Sequence, residues 1–176
     1  PLVVATFSIL GDMVREIGQD KIEVKTLVGS DEDSHVFEPR PQDAEKLGRA
    51  DLVVVNGLGF EGWLNRLIEA SGFHGTVLVA TRGIDPLIYT TSGDTITDPH
   101  AWHSLKNAQI YVDNIEKGLS ALLPYDATFF KERAESYKHA LKTLESNMHQ
   151  RLENIPLNKR KVITGHKAFN YLGRDL

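Results

Sequence analysis

The sequence predicts an α/β fold: a parallel-sheet lobe, a long interlobe helix, and the start of a second α/β lobe. Three observations carry this expectation. Short apolar runs alternate with amphipathic helical segments up to residue 80, the signature of strands and helices laid down in turn. Beyond Pro124 a single helical pattern persists for roughly 30 residues, or about 45 Å. After Pro156 a further strand-like and helix-like pair begins.

The elements follow in order. VVAT (3–6) reads as a buried strand, and LGDMVREIG (10–18) as a helix ending at Gly18. IEVKTLVG (22–29) is a second strand with partial alternation. Pro41 suits the first position of a helix carrying QDAEKLGRA, where its missing N–H is no loss. LVVVN (52–56) is a continuous apolar run of the kind buried on both faces of a parallel sheet. EGWLNRLIEASG (61–72) is amphipathic, and TVLVA (76–80) reads as a fourth strand. Residues 82–99 have no sustained period and read as an irregular segment.

Helix returns with LKNAQIYVDNIEKGLSALL (105–123) and again from about Asp126 to Asn154. Along the latter, Phe130, Ala134, Tyr137, Leu141, Leu144, Met148 and Leu152 mark one apolar stripe, as on a strut between two lobes. KVITG (161–165) and HKAFNYLGRDL (166–176) read as a final strand and helix. The expected division is therefore residues 1–123 for an N-terminal lobe, 124–155 for the interlobe helix and 156–176 for the beginning of a C-terminal lobe. A strand and a short helix cannot enclose a core, so the sequence reads as the front portion of a two-lobed protein.

Composition narrows the chemistry. The chain has 176 residues, 41% hydrophobic and 25% charged, as in ordinary globular proteins. A net charge of −4 gives no basic field for nucleic acid or an anionic membrane. No apolar run is long enough to span a bilayer. There are no cysteines, which removes disulfides, thiolate metal ligands and thiol catalysis together. Any transition-metal site must be built from His, Asp and Glu, and seven histidines are available.

One motif invites a false reading. NGLGFEG places Gly57, Gly59 and Gly62 in a G-x-G-x-x-G spacing between a strand and a helix. A dinucleotide site would want an acid at the end of the next strand, which instead ends in Ala80, Thr81 and Arg82. The glycines read as shaping a strand-to-helix turn.

The histidines are more informative. His35 lies in SDEDSHVFEPR, after the second strand; His100 lies in TDPHAWHSL, where Asp98 is placed to cap a helix beginning at Pro99; His166 follows KVITG. Ligands of parallel sheets bind outside the carboxyl ends of strands, where His35 and His166 are expected. Three imidazoles converging from separate loops would supply most of a tetrahedral metal site. A single loop histidine is nonetheless more often solvated than bound to metal, so the residues alone leave both readings open. His74, His139 and His149 fit the solvated reading, and His103, three residues past His100, is a weaker candidate ligand.

DSHVFEPRPQDAEKLGRADLVVVNGLGFEGWL, DPHAWHSLKNA, the long helix and VITGHKAFNYL together resemble the zinc/manganese receptors, the metal-specific solute-binding proteins of bacterial ABC transporters. The resemblance spans essentially the whole chain, in order. It implies a truncated bilobal solute-binding protein in which the histidines of H-x-[YF]-E-P and D-P-H-x-W, and the residue at the last strand–helix junction, bind metal. These are His35, His100 and His166; an aspartate from late in the second lobe completes the family's site. Asp98, Glu38 and Asp33 are candidates to orient the rings.

The resemblance further implies capture of a divalent metal ion, delivery to a membrane permease, and a location in the periplasm or lipid-anchored at the cell surface. Three neutral imidazoles and one carboxylate suit Zn²⁺ first and Mn²⁺ next. Manganese receptors of the family commonly carry Glu at the position of His166, whereas zinc receptors often carry a His-rich loop, absent from TTSGDTI here. The other class to weigh is a zinc hydrolase, with three histidines, a bound water and Glu38 as base, although no compact H-E-x-x-H motif is present. An unpaired strand in the last segment would also favour self-association.

Overall fold

A computed structural model describes residues 1–91 and 93–176; Ser92, inside the segment expected to be irregular, lies outside the described residues. The first seven elements are those anticipated: β1 (Leu2–Phe7), α1 (Ser8–Gly18), β2 (Glu23–Val28), α2 (Pro41–Gly48), β3 (Leu52–Val55), α3 (Leu64–Ser71) and β4 (Thr76–Val79). The strands form one parallel sheet in the order β2-β1-β3-β4, with Val4 opposite Lys25 on one side and Val53 on the other. The chain leaves β1 toward one edge and β3 toward the opposite edge. The carboxyl ends of β1 and β3 therefore flank a topological switch point, the usual crevice of an open α/β sheet.

The central strands owe their place to their side chains. Val3, Val4, Ala5, Val53 and Val54 are fully buried, as continuous apolar runs must be when helices cover both faces. Leu10, Val14 and Ile17 of α1 close the core, together with Tyr111, Val112, Ile115 and Leu119 of α4 (Leu105–Leu122). Each such side chain contributes about 1.5–3 kcal/mol when removed from water. α5 (Ala127–Glu153) packs against α1 and α4 through Phe130, Ala134 and Leu141, whereas Leu144 is 48% exposed. The expected stripe is thus buried only at Phe130, Ala134 and Leu141, with Met148 and Leu152 half-buried. Among the described residues no helix is long and apolar enough to cross a membrane.

Three expectations are corrected. The segment 82–99 contains an antiparallel hairpin, β5 (Ile88–Thr91) with β6 (Asp94–Thr97), around a turn in which Gly93 takes a positive φ. No α-helix begins at Pro99, where only a 3-10 turn (Ala101–His103) forms; α4 starts at Leu105 as read from the sequence, capped by Ser104, whose hydroxyl accepts the Asn107 N–H at 3.0 Å. KVITG is not a strand: it meets no sheet edge, and Val162 and Ile163 stand 85% and 99% exposed. A strand exists only through its ladder, so β propensity without a neighbour leaves extended coil. The unpaired edge on which self-association was expected is accordingly not a strand. The last helix, α6 (Asn170–Asp175), is shorter than anticipated, and its Tyr171 is fully buried in the core.

Candidate metal centre

Backbone geometry brings the three predicted histidines together. His35 sits on the loop after β2, where the Asp33 carboxylate accepts its backbone N–H at 2.9 Å. The neighbouring Ser34 carbonyl accepts the Trp63 indole N–H at 3.2 Å, and the Phe60 ring stands edge-on to the His35 ring at 5.0 Å. His100 follows the hairpin. Its peptide N–H reaches Asp98 Oδ1 at 3.0 Å, closing a local turn instead of the helix cap expected of Asp98. His166 comes from a bend in the irregular segment before α6, tightened by Ala168 N–H donating to the His166 carbonyl at 2.9 Å.

The ring nitrogens converge. His100 Nε2 lies 3.1 Å from His35 Nε2 and 2.9 Å from His166 Nε2, and one donor atom from each ring falls within 4.8 Å of the others. A tetrahedral ion with metal–nitrogen bonds of 2.0–2.1 Å spaces its ligands by about 3.3 Å, so the rings need shift only by tenths of an ångström to an ångström or so. They face an open cavity of about 320 Å³ with Phe7, Phe60 and Trp102 in its walls.

Asp98 decides which nitrogen of His100 is available. Its Oδ1 lies 2.6 Å from His100 Nδ1, and both residues are buried, 3% and 6% exposed. A carboxylate can only accept, so Nδ1 carries the proton and the Nε2 lone pair points at the other two rings. Burial pushes the Asp98 carboxyl up. The His100 N–H, the Asn170 amide, the His100 ring and the Tyr89 hydroxyl donate to it, and together they hold it below the usual range. Tyr89 is in turn pushed up to about 12, by burial and then by its bond to Asp98. Tyr171 locks the same point from α6, donating to the Asp98 carbonyl at 2.8 Å and accepting from Leu87 N–H at 3.0 Å.

At His35 the surroundings disfavour a proton. Burial lowers the His35 pKa, and the His100 and His166 rings lower it further against the opposing pull of Asp33. Three ring nitrogens aimed at one point form a donor set that fits a divalent cation.

Other candidates separate cleanly. His103 packs on Phe169 with centroids 4.5 Å apart and on Trp102 at 5.5 Å, outside the cluster. His74, His139 and His149 are exposed, as expected of solvated residues. Of the three candidate orienting acids, Asp98 holds a ring, Asp33 holds only backbone, and Glu38 is exposed with no hydrogen bond to a ring among the described residues. Tyr89, Asn170 and Tyr171 were not anticipated: Tyr89 lies in a segment that reads as irregular and the other two in one that reads as a helix, with nothing local to point at Asp98.

Comparison with known proteins gives a consistent picture. The family described as zinc-uptake complex component A, periplasmic, matches residues 3–176. The iron-binding protein YfeA of Yersinia pestis is 34% identical over 174 residues, 98% of this chain and 56% of YfeA. The manganese ABC transporter substrate-binding lipoprotein PsaA of Streptococcus mitis is 32% identical over 179 residues, 98% of this chain and 58% of PsaA. The chain thus spans little more than half the length of these relatives. The Mn-bound periplasmic metal binding protein from Candidatus Liberibacter asiaticus superposes with a TM-score of 0.90 at 33% identity, covering 99% of this chain and 65% of that one.

Proposed function

Because this chain belongs to the zinc-uptake complex component A family of periplasmic proteins, we propose that it captures a divalent transition-metal ion through His35, His100 and His166. The whole protein is then an extracytoplasmic substrate-binding component, in the periplasm or lipid-anchored at the cell surface, that hands its ion to an ABC permease. Residues 1–123 supply a lobe with two of the ligands, 124–155 the connecting helix, and 156–176 the third ligand from the start of a second lobe.

The observation that carries the reading is the convergence of three Nε2 atoms from segments 65 and 66 residues apart, with the His100 tautomer set by Asp98. A metallohydrolase would need the same ligands with a bound water and a base at hand. Glu38 is exposed and, among the described residues, makes no hydrogen bond to a ring, and the relatives are named as binding proteins.

Three neutral imidazoles favour zinc among the available divalent ions. Manganese is the second reading, supported by the relative named for manganese transport and by the Mn-bound structure. The test is competitive titration of Zn²⁺ and Mn²⁺ against a chromophoric chelator, on this chain and its His35→Ala, His100→Ala and His166→Ala variants. One ion per chain, weaker binding in every variant, and affinity falling from pH 7.5 to 5.5 as protons compete are the expected results. Full affinity in all three variants would overturn the site; tighter binding of Mn²⁺ than of Zn²⁺ would reverse the choice of metal.

A further inference from the structure

We infer that Asn56 is a positioning residue for metal capture: its side-chain amide holds the Pro99 carbonyl and thereby fixes the peptide that carries His100. The inference rests on the metal reading above and extends it to a residue that makes no contact with an ion.

Asn56 is the first residue past β3, at the carboxyl end of the sheet beside the crevice, and it is fully buried. Its Nδ2 donates to the Pro99 carbonyl at 2.9 Å and to the Gly57 carbonyl at 3.0 Å. Two carbonyl oxygens can only accept, so the amide has one permissible orientation. The oxygen of that amide then takes the Tyr111 hydroxyl as donor, from α4 on the other side of the sheet end. The backbone of Asn56 is held as firmly: its N–H donates to Glu61 Oε1 at 2.6 Å and its carbonyl accepts the Thr81 hydroxyl.

The Pro99 carbonyl is a sensitive place to hold. It also accepts the Ala101 N–H at 2.9 Å, so His100 is the central residue of a three-residue turn, with φ −81° and ψ 38°. Rotation of that one peptide swings the His100 ring relative to the sheet. Asp98 grips the ring and Asn56 grips the peptide before it, so the two restraints act on different bonds. The same turn, NGLGFEG, supplies Phe60 against His35, which makes the β3–α3 connection a common reference for two of the three ligands.

Positioning is separable from simple stability by a spectroscopic readout. Co²⁺ is titrated into wild type and into Asn56→Ala, Tyr111→Phe, Thr81→Val and His100→Ala variants, following the visible d–d absorption, which reports ligand geometry. Thermal melts in chelator measure the stability of each variant. Asn56→Ala is expected to weaken Co²⁺ binding by about 10–100-fold and to alter band position and intensity. Tyr111→Phe, which frees the amide without removing it, is expected to give a smaller change in the same direction, and it carries the test if Asn56→Ala does not fold. Thr81→Val removes the hydroxyl from the Asn56 carbonyl but keeps the Thr81 N–H on it at 3.3 Å, so the amide stays placed, and the variant is expected to lower the melting temperature while leaving the spectrum unchanged. Wild-type spectra in both Asn56→Ala and Tyr111→Phe, or a spectrum altered equally by Thr81→Val, would overturn the positioning role. Retention of the wild-type spectrum by His100→Ala would instead overturn the metal site itself.

Discussion

Replacing Asp98 by Asn tests how the protein presents the central histidine of the proposed metal site. The carboxylate accepts four hydrogen bonds: from His100 N–H at 3.0 Å, the His100 ring at 2.6 Å, the Tyr89 hydroxyl at 2.9 Å and the Asn170 amide at 3.1 Å. An Asn side chain has one accepting oxygen. If that oxygen stays on His100, the new NH₂ faces the Asn170 amide, donor against donor; if it turns to Asn170, the His100 ring loses its acceptor. Either arrangement leaves a buried donor unpaired, at about 1–3 kcal/mol, and forfeits a charge-assisted bond. In the second arrangement Nδ1 is no longer held protonated, so Nε2 is no longer reserved for metal. Loss of such a supporting carboxylate lowers metal affinity by about 10–100-fold, equivalent to roughly 1.4–2.7 kcal/mol. Competitive chelator titration at pH 7.5 measures the affinity, and guanidinium unfolding with and without Zn²⁺ measures the stability. Undiminished affinity in a folded Asp98→Asn protein would refute the argument that Asp98 sets the tautomer.

Two further predictions probe the support beneath the site. Burial raises the Glu61 pKa, although Thr6 and the Asn56 and Gly57 N–H groups donate to its carboxylate. The folded state therefore binds its proton more tightly than the unfolded chain does. Its contribution to stability is full below the unfolded value near pH 4.3 and is lost as pH rises through the folded value. The unfolding free energy of wild type minus that of Glu61→Gln, measured in chelator from pH 4 to 7, should fall with rising pH; a constant difference would refute the burial argument. Gly57 has a φ of +83°, and a Cβ there would meet Val79 Cγ1 at 2.7 Å and Thr81 Oγ1 at 3.0 Å. Gly57→Ala should destabilise by at least about 1–2 kcal/mol, read as a lower guanidinium midpoint at constant slope; an unchanged midpoint would show that the turn tolerates a side chain.

The false dinucleotide motif shows how a local pattern can mark the right place for the wrong reason. Gly57, Leu58 and Gly59 all take positive φ, with Gly57 pressed against Val79 and Thr81, so the glycines do shape a tight strand-to-helix turn. The polar residues of that turn, Asn56 and Glu61, carry no signal in the glycine spacing. Their importance lies in partners at Pro99, Tyr111 and Thr6, which nothing in a seven-residue window announces. KVITG illustrates the opposite error: its β-branched residues favour a strand, but no neighbour offers a ladder.

By itself the sequence determined the four parallel strands and the helices between them, because apolar periodicity is carried by neighbours in the chain, whereas the three histidines were singled out by the family resemblance and not by spacing. Tertiary structure alone decided that the three Nε2 atoms meet, that Asp98 rather than Asp33 or Glu38 orients a ring, and that Tyr171 and Asn170 close on Asp98 from α6. Apart from Asp98 on the His100 ring, two positions away, the hydrogen-bonded contacts among these join residues 65 to 73 positions apart. Their geometry depends on how the sheet order folds the chain back on itself, which local preference does not encode.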